Sequence, residues 1–359
     1  MGSSTRVYVL GAGCSVCGGY PLASGVRKAL GCLAKTKLQN ASAAQIFRCV
    51  QRTCELMDEH QAQTTDQLAR ILGDERRIEI EESKKAMSAL FFSLEDEGVK
   101  MALPSYAALF EEIFEQGDSP ELESRIKTTN CRVLTYNYDR MFERAFIEWI
   151  RPQLRDHTNL ESNALQWLNC GLPYESKIEF DPNGFALIKL HGGIGQFNRD
   201  HDFGLNHVYP FDFDRPLPPI ADNPYFEIPD QKSNLQTIFY PTDKRRPSDR
   251  RAENGRSTLS RLAYEHAVWN AAEDVCRTAS EIQIIGYSMS PIDWWSFKAL
   301  IRAAENCRKI VIRNRAQVVK ELTDKMQRLR TELGAPWEVE GREEDFFGRP
   351  ASSEGDISK

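Results

Sequence analysis

The sequence has 359 residues, with 46 Lys and Arg side chains against 52 Asp and Glu side chains and a formal net charge of −6. This length allows one large α/β domain with insertions or two smaller domains. The negative balance disfavours nucleic acid and anionic membranes as obligatory partners, so we expect no membrane partner and at most peripheral binding of nucleic acid.

Targeting and redox features predict a cytoplasmic protein. The sequence contains no apolar run of the roughly 18 residues that a membrane helix needs, and its first residues lack the pattern of a signal peptide. Its nine cysteines are odd in number and irregularly spaced. This usage is typical of reduced, mostly buried thiols rather than of a disulfide framework.

The first predicted strand is the apolar run Arg6–Leu10, which stops at the glycine turn of residues 11–13. Apolar residues then recur at helical spacing over residues 26–33, so a strand, a glycine turn and a helix follow one another as in a nucleotide-binding unit. Seven basic residues and no acidic residue precede Glu55. This unit is therefore predicted to be cationic, which suits either a bound pyrophosphate or a solvated helix face.

An inserted helical lobe is predicted between about residues 42 and 120, with the segment Thr64-Thr65-Asp66 as a candidate N-cap. Later apolar runs predict four more buried strands, at Cys131–Thr135, Phe185–Leu190, Ile282–Ile285 and Ile310–Arg313. Helical spacing predicts helices at Arg140–Ile150, Leu259–Thr278, Ser296–Asn306 and Arg315–Leu333. This alternation predicts an α/β fold with a doubly wound, mainly parallel sheet in a single domain of residues 1–348.

Two segments lack this periodicity. Residues 192–257 are rich in Pro, Asp, Asn and aromatic residues, which predicts long irregular loops. Within them, the basic cluster at residues 244–251 is interrupted by Pro and Asp and predicts a mobile loop or an interface. Residues 349–359 are small and polar and predict a flexible tail.

Polar residues follow the predicted strands at their carboxyl ends, where open α/β sheets bind ligands. Asn137 and Asp139 come directly after one strand, and His191 comes directly after the next. An imidazole can move a proton near neutral pH. Structural roles stay open, because Asp139 can cap the following helix, Asn137 can close a turn, and most histidines are structural.

The last two strand ends offer further hydrogen-bonding groups. Gly286, Ser288 and Asp293 follow one strand, and Asn314 follows the other. The Ser-Pro pair at residues 290–291 can alternatively begin the next helix, and Asn314 can simply end its strand. Because such strand ends converge on one crevice, the sequence predicts a shared ligand site.

These motifs read GAGCS, GGYP, TYNYD, KLHGG, IIGYSMSPID and IRN, in that order, between residues 11 and 314. In this order they resemble the sirtuin-like superfamily, and most closely its bacterial NAD hydrolases, which act in antiphage defence. The resemblance is confined to the motifs and does not extend to the spacers. It implies a sirtuin-like, Rossmann-type domain that cleaves the nicotinamide–ribose bond of NAD to give nicotinamide and ADP-ribose.

The resemblance also implies a role for each matched residue. Asn137 and His191 serve the reacting ribose, and Asp139 holds the local network. The residues that it implies for NAD binding are Gly11, Ala12, Gly13, Ser15, Gly286, Ser288, Asp293 and Asn314. NAD is then the substrate, and no metal is implied.

Two departures from the protein deacylases of the family favour water as the acceptor. Those enzymes carry two Cys-x-x-Cys pairs for zinc after the catalytic histidine, whereas this chain has no cysteine between Cys170 and Cys276. The segment GGYP also replaces their usual sequence after the glycine turn. The Cys-x-x-Cys spacing of Cys14 and Cys17 lies inside that turn, where we interpret it as two packed small residues rather than a redox pair.

Two other functions remain open at this point: an NAD-dependent protein deacylase, and a non-catalytic subunit that binds NAD or ADP-ribose and regulates a larger assembly. The missing zinc ligands count against the first, and the retained Asn137 and His191 count against the second. By resemblance, we expect a homo-oligomer regulated by a separate partner such as a HerA-type ATPase.

Overall fold

The computed structural model describes residues 5–35, 41–114, 121–153, 164, 167–168, 172–174, 177–179, 184–194, 197–198, 208–209 and 268–344. Most of the predicted loop segment 192–257, with its basic cluster 244–251, lies outside the described residues, and so does the predicted tail 349–359. Within the described ranges, none of the helices combines the length and the apolar character that a membrane span requires.

The strands of the described residues form one large sheet and two small pairs. They are β1 (Thr5–Leu10), β2 (Cys131–Thr135), β3 (Leu172–Tyr174), β4 (Lys177–Glu179), β5 (Ala186–Lys189), β6 (Phe197–Asn198), β7 (Val208–Tyr209), β8 (Ala279–Ile285), β9 (Lys309–Asn314) and β10 (Glu338–Glu343). Strand β3 pairs with β4 and β6 with β7, both antiparallel.

The large sheet has six strands in the order β10-β9-β8-β1-β2-β5, and every neighbouring pair is parallel. Counted along the chain from the β5 edge, this is the 3-2-1-4-5-6 order of dinucleotide-binding folds. The strand order reverses between β1 and β8, which is where ligands bind in such sheets. The predicted α/β fold with a doubly wound parallel sheet is confirmed.

The helices lie between these strands. They are α1 (Val26–Leu33), α2 (Ala41–Glu59), α3 (Thr65–Leu72), α4 (Arg77–Phe114), α5 (Leu122–Thr128), α6 (Met141–Ile150), α7 (described over residues 268–278), α8 (Trp294–Ala303) and α9 (Ala316–Leu333). Helices α1–α5 all lie between β1 and β2. An N-cap was predicted within residues 64–66, and the structure assigns it to Thr64, whose Oγ1 accepts the backbone N–H of Gln67 at 3.0 Å.

Several elements were not predicted from the sequence, and two of them adjoin the large sheet. A 3-10 helix, Ala12–Gly18, continues the glycine turn before α1 begins. Strand β10 has the sequence EVEGRE, whose single apolar residue gives no hydrophobic signal. It forms the edge of the sheet, and its residues are mostly exposed, so charged side chains are compatible with it and protect the edge from pairing with other chains.

The two faces of the sheet pack against different helices. On one face, Tyr8, Leu10 and Val133 belong to a core shared with helices α1–α6. On the other, Val9 and Leu134 belong to a second core shared with α7–α9. Neighbouring residues of one strand therefore point into opposite cores, as the pleat of a strand requires.

A buried ion pair joins α4 to the turn after β2. Arg140 donates from Nε and Nη2 to the two carboxylate oxygens of Glu95 at 2.8 and 2.6 Å. Both side chains are buried, and the guanidinium lies 4.9 Å from the centre of the Phe92 ring. Because this bidentate geometry fixes direction as well as distance, α4 sets the position of the residue that directly follows Asp139.

The glycine turn after β1 packs directly against the turn after β8. Gly11 N donates to the carbonyl oxygen of Ile285 at 3.0 Å, and Gly13 N donates to that of Gly286 at 2.8 Å. A Cβ on Gly11 would overlap the Cα of Tyr287, and a Cβ on Gly13 would lie 2.7 Å from the Gly286 oxygen. Close approach of two backbones thus requires both glycines at the point where the strand order reverses.

We predict that Gly11→Ala lowers the free energy of unfolding by about 1–3 kcal/mol, because the added methyl group overlaps backbone that cannot rotate away. Gly31→Ala is the matched control. Gly31 lies in α1, where an added Cβ meets the flexible end of Arg27 and alanine is the better helix former. Urea unfolding followed by circular dichroism compares both variants with the wild type. A Gly11 variant as stable as the wild type would contradict the prediction.

Candidate functional site

Ser15, Asn137 and Asp139 form one hydrogen-bonded network at the carboxyl ends of β1 and β2. Ser15 Oγ donates to Asp139 Oδ2 at 2.8 Å. Asn137 Nδ2 donates to Ser15 Oγ at 3.1 Å. Because all three side chains are buried, the network holds the Asn137 amide in one orientation.

The amide oxygen of Asn137 is the atom of this network that is open to a further hydrogen bond. Asn137 is 8% exposed, and its Oδ1 has no hydrogen-bond partner among the described residues. A buried polar atom without a partner is unfavourable by roughly 1–3 kcal/mol, so it needs an explanation. The backbone N–H of Asn137 donates to Thr135 Oγ1 at 3.1 Å, so the residue also closes the turn. A hydroxyl of a bound molecule can donate to the free amide oxygen.

Asp139 serves the next helix as well as the network. Its Oδ1 accepts the backbone N–H of Met141 at 2.9 Å, at the start of α6, so it also has the capping role that the sequence left open. Burial raises the pKa of Asp139, and the positive charge of Lys189 opposes this most strongly. Asp139 therefore caps α6 with one carboxylate oxygen and holds the network with the other.

Lys189 of β5 links the turn after β2 to the turn after β5. Its ammonium contacts the main-chain oxygen of Asp139 and lies 2.9 Å from Glu143 Oε1. Gly193 makes room for this side chain, because a Cβ there would overlap the Lys189 Cε. Burial raises the pKa of Glu143, and the charge of Lys189 opposes the increase. One buried cation thus fixes the two turns relative to each other.

His191 is buried beside the Asn137 turn. Its ring centre lies 5.0 Å from that of Tyr136, edge to face, and 5.4 Å from that of Tyr138. Its Nε2 lies 3.2 Å from Asp293 Oδ1, although Asp293 follows a different strand. Since the two tyrosines flank Asn137 in the chain, His191 and Asn137 lie at the same edge of the sheet.

The glycine turns leave backbone accessible where the strand order reverses. Ala12 and Ser288 are exposed, and Gly13 and Gly286 are partly exposed. Gly286 has a φ of +59°, in the left-handed region that favours glycine. Backbone N–H groups and a hydroxyl at such a point can approach a phosphate or a ribose.

Three residues that the resemblance implied for NAD binding make contacts within the protein. Ser15 is engaged with Asn137 and Asp139, and Asp293 faces His191. The Oδ1 of Asn314 accepts the backbone N–H that follows it at 2.9 Å, which fits the simpler role of ending the strand. Their binding roles remain predictions.

Two of the seven basic residues in the predicted cationic unit pair with acidic residues from later in the chain. Arg6 pairs with Glu281 at 3.3 Å, and Arg27 pairs with Asp58 at 2.5 Å. Composition along the chain could not show this pairing, because the partners come from other elements. At these two positions, the excess of basic residues does not create an unpaired cationic surface.

Cys14 and Cys17 are both buried in the 3-10 helix. Cys14 Sγ donates to the carbonyl oxygen of Ile285 at 3.2 Å, and Cys17 Sγ donates to that of Cys14 at the same distance. Burial raises the pKa of Cys17 to about 12 and that of Cys14 well above its usual range. Protonated, buried thiols favour the packing interpretation over a redox pair.

Sequence reasoning missed several residues that shape the site. Lys189 could have been recognised from the sequence, because it lies within an apolar strand and a buried lysine needs a charged or polar partner. Glu143 lies in the first turn of α6 and gave no such signal. The rings of Tyr136 and Tyr287 stack with their centres 4.3 Å apart, and nothing in the sequence pairs them. In the part of the chain that the structure describes, no group of three or more His, Cys, Asp or Glu side chains is arranged to hold a metal ion.

Comparisons with known proteins add little to this geometry. No protein-family model and no curated protein matches the chain. A solved structure described as Sir2Tm bound to a propionylated peptide aligns over 92% of this chain and 94% of that chain, with 13% identity and a TM-score of 0.30. A likeness this low transfers no residue role to the present chain, so the strand order and the contacts above define the site.

We predict that Lys189→Met destabilises the protein more at pH 8 than at pH 5. The change leaves the Glu143 carboxylate buried without its cation, which lowers stability by about 3–5 kcal/mol when the carboxylate is ionised. Burial raises the folded-state pKa of Glu143 above its unfolded value. The associated stability is therefore present at low pH and lost as pH rises through the folded pKa.

Urea unfolding at both pH values measures this effect. The control is the double variant Lys189→Met, Glu143→Gln, which removes the charge along with its partner and should recover most of the stability at pH 8. A loss that is equal at the two pH values would show that packing, rather than the charge of Glu143, is responsible.

Proposed function

We propose that this chain is an NAD hydrolase, which cleaves the nicotinamide–ribose bond and releases nicotinamide and ADP-ribose. The observation that supports this most strongly is the buried, unpartnered amide oxygen of Asn137, held in place through Ser15 at the dinucleotide-binding edge of the sheet. A ribose hydroxyl can donate to this oxygen. Phosphates can approach the exposed backbone at Ala12 and Ser288, beside the point where the strand order reverses.

The reaction needs an oriented ribose and a base. The bond between ribose C1′ and the nicotinamide nitrogen breaks, its electron pair stays on nitrogen, and positive charge develops on the sugar. Asn137 orients the ribose, so that the reacting atoms meet at a favourable angle. A water oxygen forms the new bond to C1′, and neutral His191 accepts the proton that this water loses.

Nicotinamide release distinguishes the proposed reaction from the two alternatives. A protein deacylase would release nicotinamide only with an acylated peptide and would form an acylated ADP-ribose. A binding subunit would retain NAD or ADP-ribose without releasing nicotinamide, alone or in an assembly. Purified chain, incubated with NAD in the presence and absence of an acetylated peptide, separates the three by chromatography of the products.

The biological part of the proposal comes from the motif resemblance. We propose that the activity depletes NAD during antiphage defence, and that self-assembly or a separate partner, for instance a HerA-type ATPase, controls it. Light scattering of the purified chain tests self-assembly, and NAD loss with and without co-purifying proteins tests the control.

We predict that Asn137→Ala and His191→Ala each lower NAD turnover by roughly two to four orders of magnitude, because one loses the orientation of the ribose and the other loses the base. Nicotinamide release from NAD is the measurement, with circular dichroism to show that the variants fold. Asn306→Ala is the matched control, since Asn306 is an exposed asparagine between α8 and β9 whose Nδ2 donates to the carbonyl oxygen of Arg277. Turnover in the His191 variant at the wild-type rate would eliminate His191 as the base.

A further inference from the structure

The turn after β8 places one exposed residue between two buried ones. Ser288 is exposed, whereas Tyr287 and Met289 on either side of it are buried. The same turn contacts the glycine turn after β1, through the hydrogen bond from Gly13 N to the carbonyl oxygen of Gly286. The direction in which the Ser288 hydroxyl faces therefore depends on the backbone conformation of its two buried neighbours.

The first half of this turn is held by Tyr287 and by the sheet. The Tyr287 ring stacks on Tyr136 with the two centres 4.3 Å apart, and its centre lies 5.4 Å from that of Phe297 in α8. The N–H of Gly286 donates to the carbonyl oxygen of Arg313 in β9 at 3.2 Å. Aromatic packing and hydrogen bonding to the sheet therefore account for this half.

The second half needs a different explanation, because Met289 has an unfavourable backbone conformation. Its φ is +52°, in the left-handed region where a side chain crowds the following carbonyl group. Among the described residues with a positive φ, only Met289 and Gln61 are not glycine. A non-glycine residue keeps this conformation when its surroundings impose it, and such residues are frequent at ligand sites.

Lys325 of α9 supplies a constraint of this kind. Its Nζ donates to the carbonyl oxygen of Met289 at 2.8 Å and lies 4.1 Å from the centre of the Trp294 ring. The Trp294 ring stacks on Phe297 of the same helix. Because the donor is charged and the aromatic face also holds it, its bond to Met289 is stronger than one between neutral groups.

The ammonium of Lys325 is not a freely solvated surface group. Lys325 is partly buried, and this burial lowers its pKa, whereas the charge of Glu321 raises the pKa and that of Arg328 lowers it. Removing a cation from water is unfavourable unless other groups bind it. The carbonyl oxygen of Met289 and the face of Trp294 both bind this cation, so its position is tied to that of the turn.

Asp293, which ends the turn, is anchored by other bonds. Its N–H donates to the carbonyl oxygen of Ser290 at 3.1 Å. Its own carbonyl oxygen accepts the Phe297 N–H at 2.9 Å and the Ser296 hydroxyl at 2.8 Å. These bonds belong to the start of α8. A change at Lys325 is therefore expected to loosen the exposed part of the turn and to leave its end in place.

We propose that Lys325 is a positioning residue for the turn after β8: it holds Met289 in its left-handed conformation and thereby presents Ser288 and the adjacent backbone to the phosphates and ribose of NAD. Lys325 acts through the carbonyl oxygen of Met289. The assignment rests on the proposed function for the identity of the ligand. The hold on the turn exists without a ligand and can be measured by itself.

The first test measures the turn in the protein without ligand. Amide hydrogen exchange, followed by mass spectrometry of a peptide that covers residues 286–293, reports how often the turn opens. Lys325→Met removes the charge and keeps an unbranched side chain. We expect this peptide to exchange on the order of 10-fold faster in the variant, because a hydrogen bond from a charged donor is lost. Exchange at the wild-type rate would overturn the proposal.

Two further variants show whether the cation is responsible. Lys320→Met makes the same chemical change at an exposed position of α9 and should leave the exchange of the peptide unchanged. Lys325→Arg keeps a cation with N–H donors, so its exchange should stay closer to the wild-type rate than that of Lys325→Met. An increase in Lys325→Arg equal to that in Lys325→Met would show that the charge is not responsible and would overturn the proposal.

The second test measures ligand binding and turnover in Lys325→Met. The KM for NAD, and the Kd of ADP-ribose measured by calorimetry, should each rise on the order of 10-fold. The reason is that the turn contacts a part of the ligand that does not react, so the same interaction is lost in the ground state and in the transition state. The kcat should therefore change by less than about threefold. A large fall in kcat with an unchanged KM would overturn the proposal.

The role of Lys325 and the proposed function can fail separately. Faster exchange of the turn, in a protein that binds ADP-ribose but releases no nicotinamide from NAD, would support the role of Lys325 and refute the hydrolase. Unchanged exchange, in a protein that hydrolyses NAD, would refute the role of Lys325 and leave the hydrolase in place.

Discussion

The contact between two backbone turns is the constraint on which the candidate site depends. Gly11 and Gly13 approach the turn at Gly286 and Tyr287 so closely that a Cβ would overlap it or crowd it. This contact sets the spacing of β1 and β8 at the point where the strand order reverses. The 3-10 helix that follows Gly11 carries Ser15, whose Oγ accepts a hydrogen bond from Asn137 Nδ2. Glycines that suggest phosphate binding in the sequence thus have a packing role in the fold, and the two roles share one backbone.

Buried ion pairs are the second feature that positions the candidate site, although their side chains are not among the proposed NAD contacts. Glu95 with Arg140, and Glu143 with Lys189, are ion pairs that connect α4, α6 and β5 to the turns carrying Asn137 and His191. Desolvation makes such pairs weak sources of stability. Their directional contacts nevertheless exclude alternative positions of the turns, and a site that must hold two distant side chains in register benefits from that restriction.

The sequence predicted most of the fold because its central strands are apolar and each ends at a glycine or polar turn. Strand β10 escaped prediction because its edge position tolerates the charged sequence EVEGRE. Within the site, strand ends indicated Asn137, Asp139 and His191. The partners of these residues depend on distances between elements, which periodicity does not contain. The contacts of Ser15 and Asp293 with other protein groups could therefore not be predicted, and the NAD-binding roles that the resemblance implied for both residues stay predictions.

Because β1 lies between two strands that come later in the chain, its contacts in the sheet can form only after those strands have been synthesised. Both of its neighbours, β2 and β8, are translated after it, and Ser15 meets Asn137 across 122 positions of sequence. Contacts of such separation form late in folding. A nascent chain that still lacks β8 has no partner for its glycine turn and no carboxylate for His191. The candidate site therefore cannot be completed until most of the chain has been synthesised.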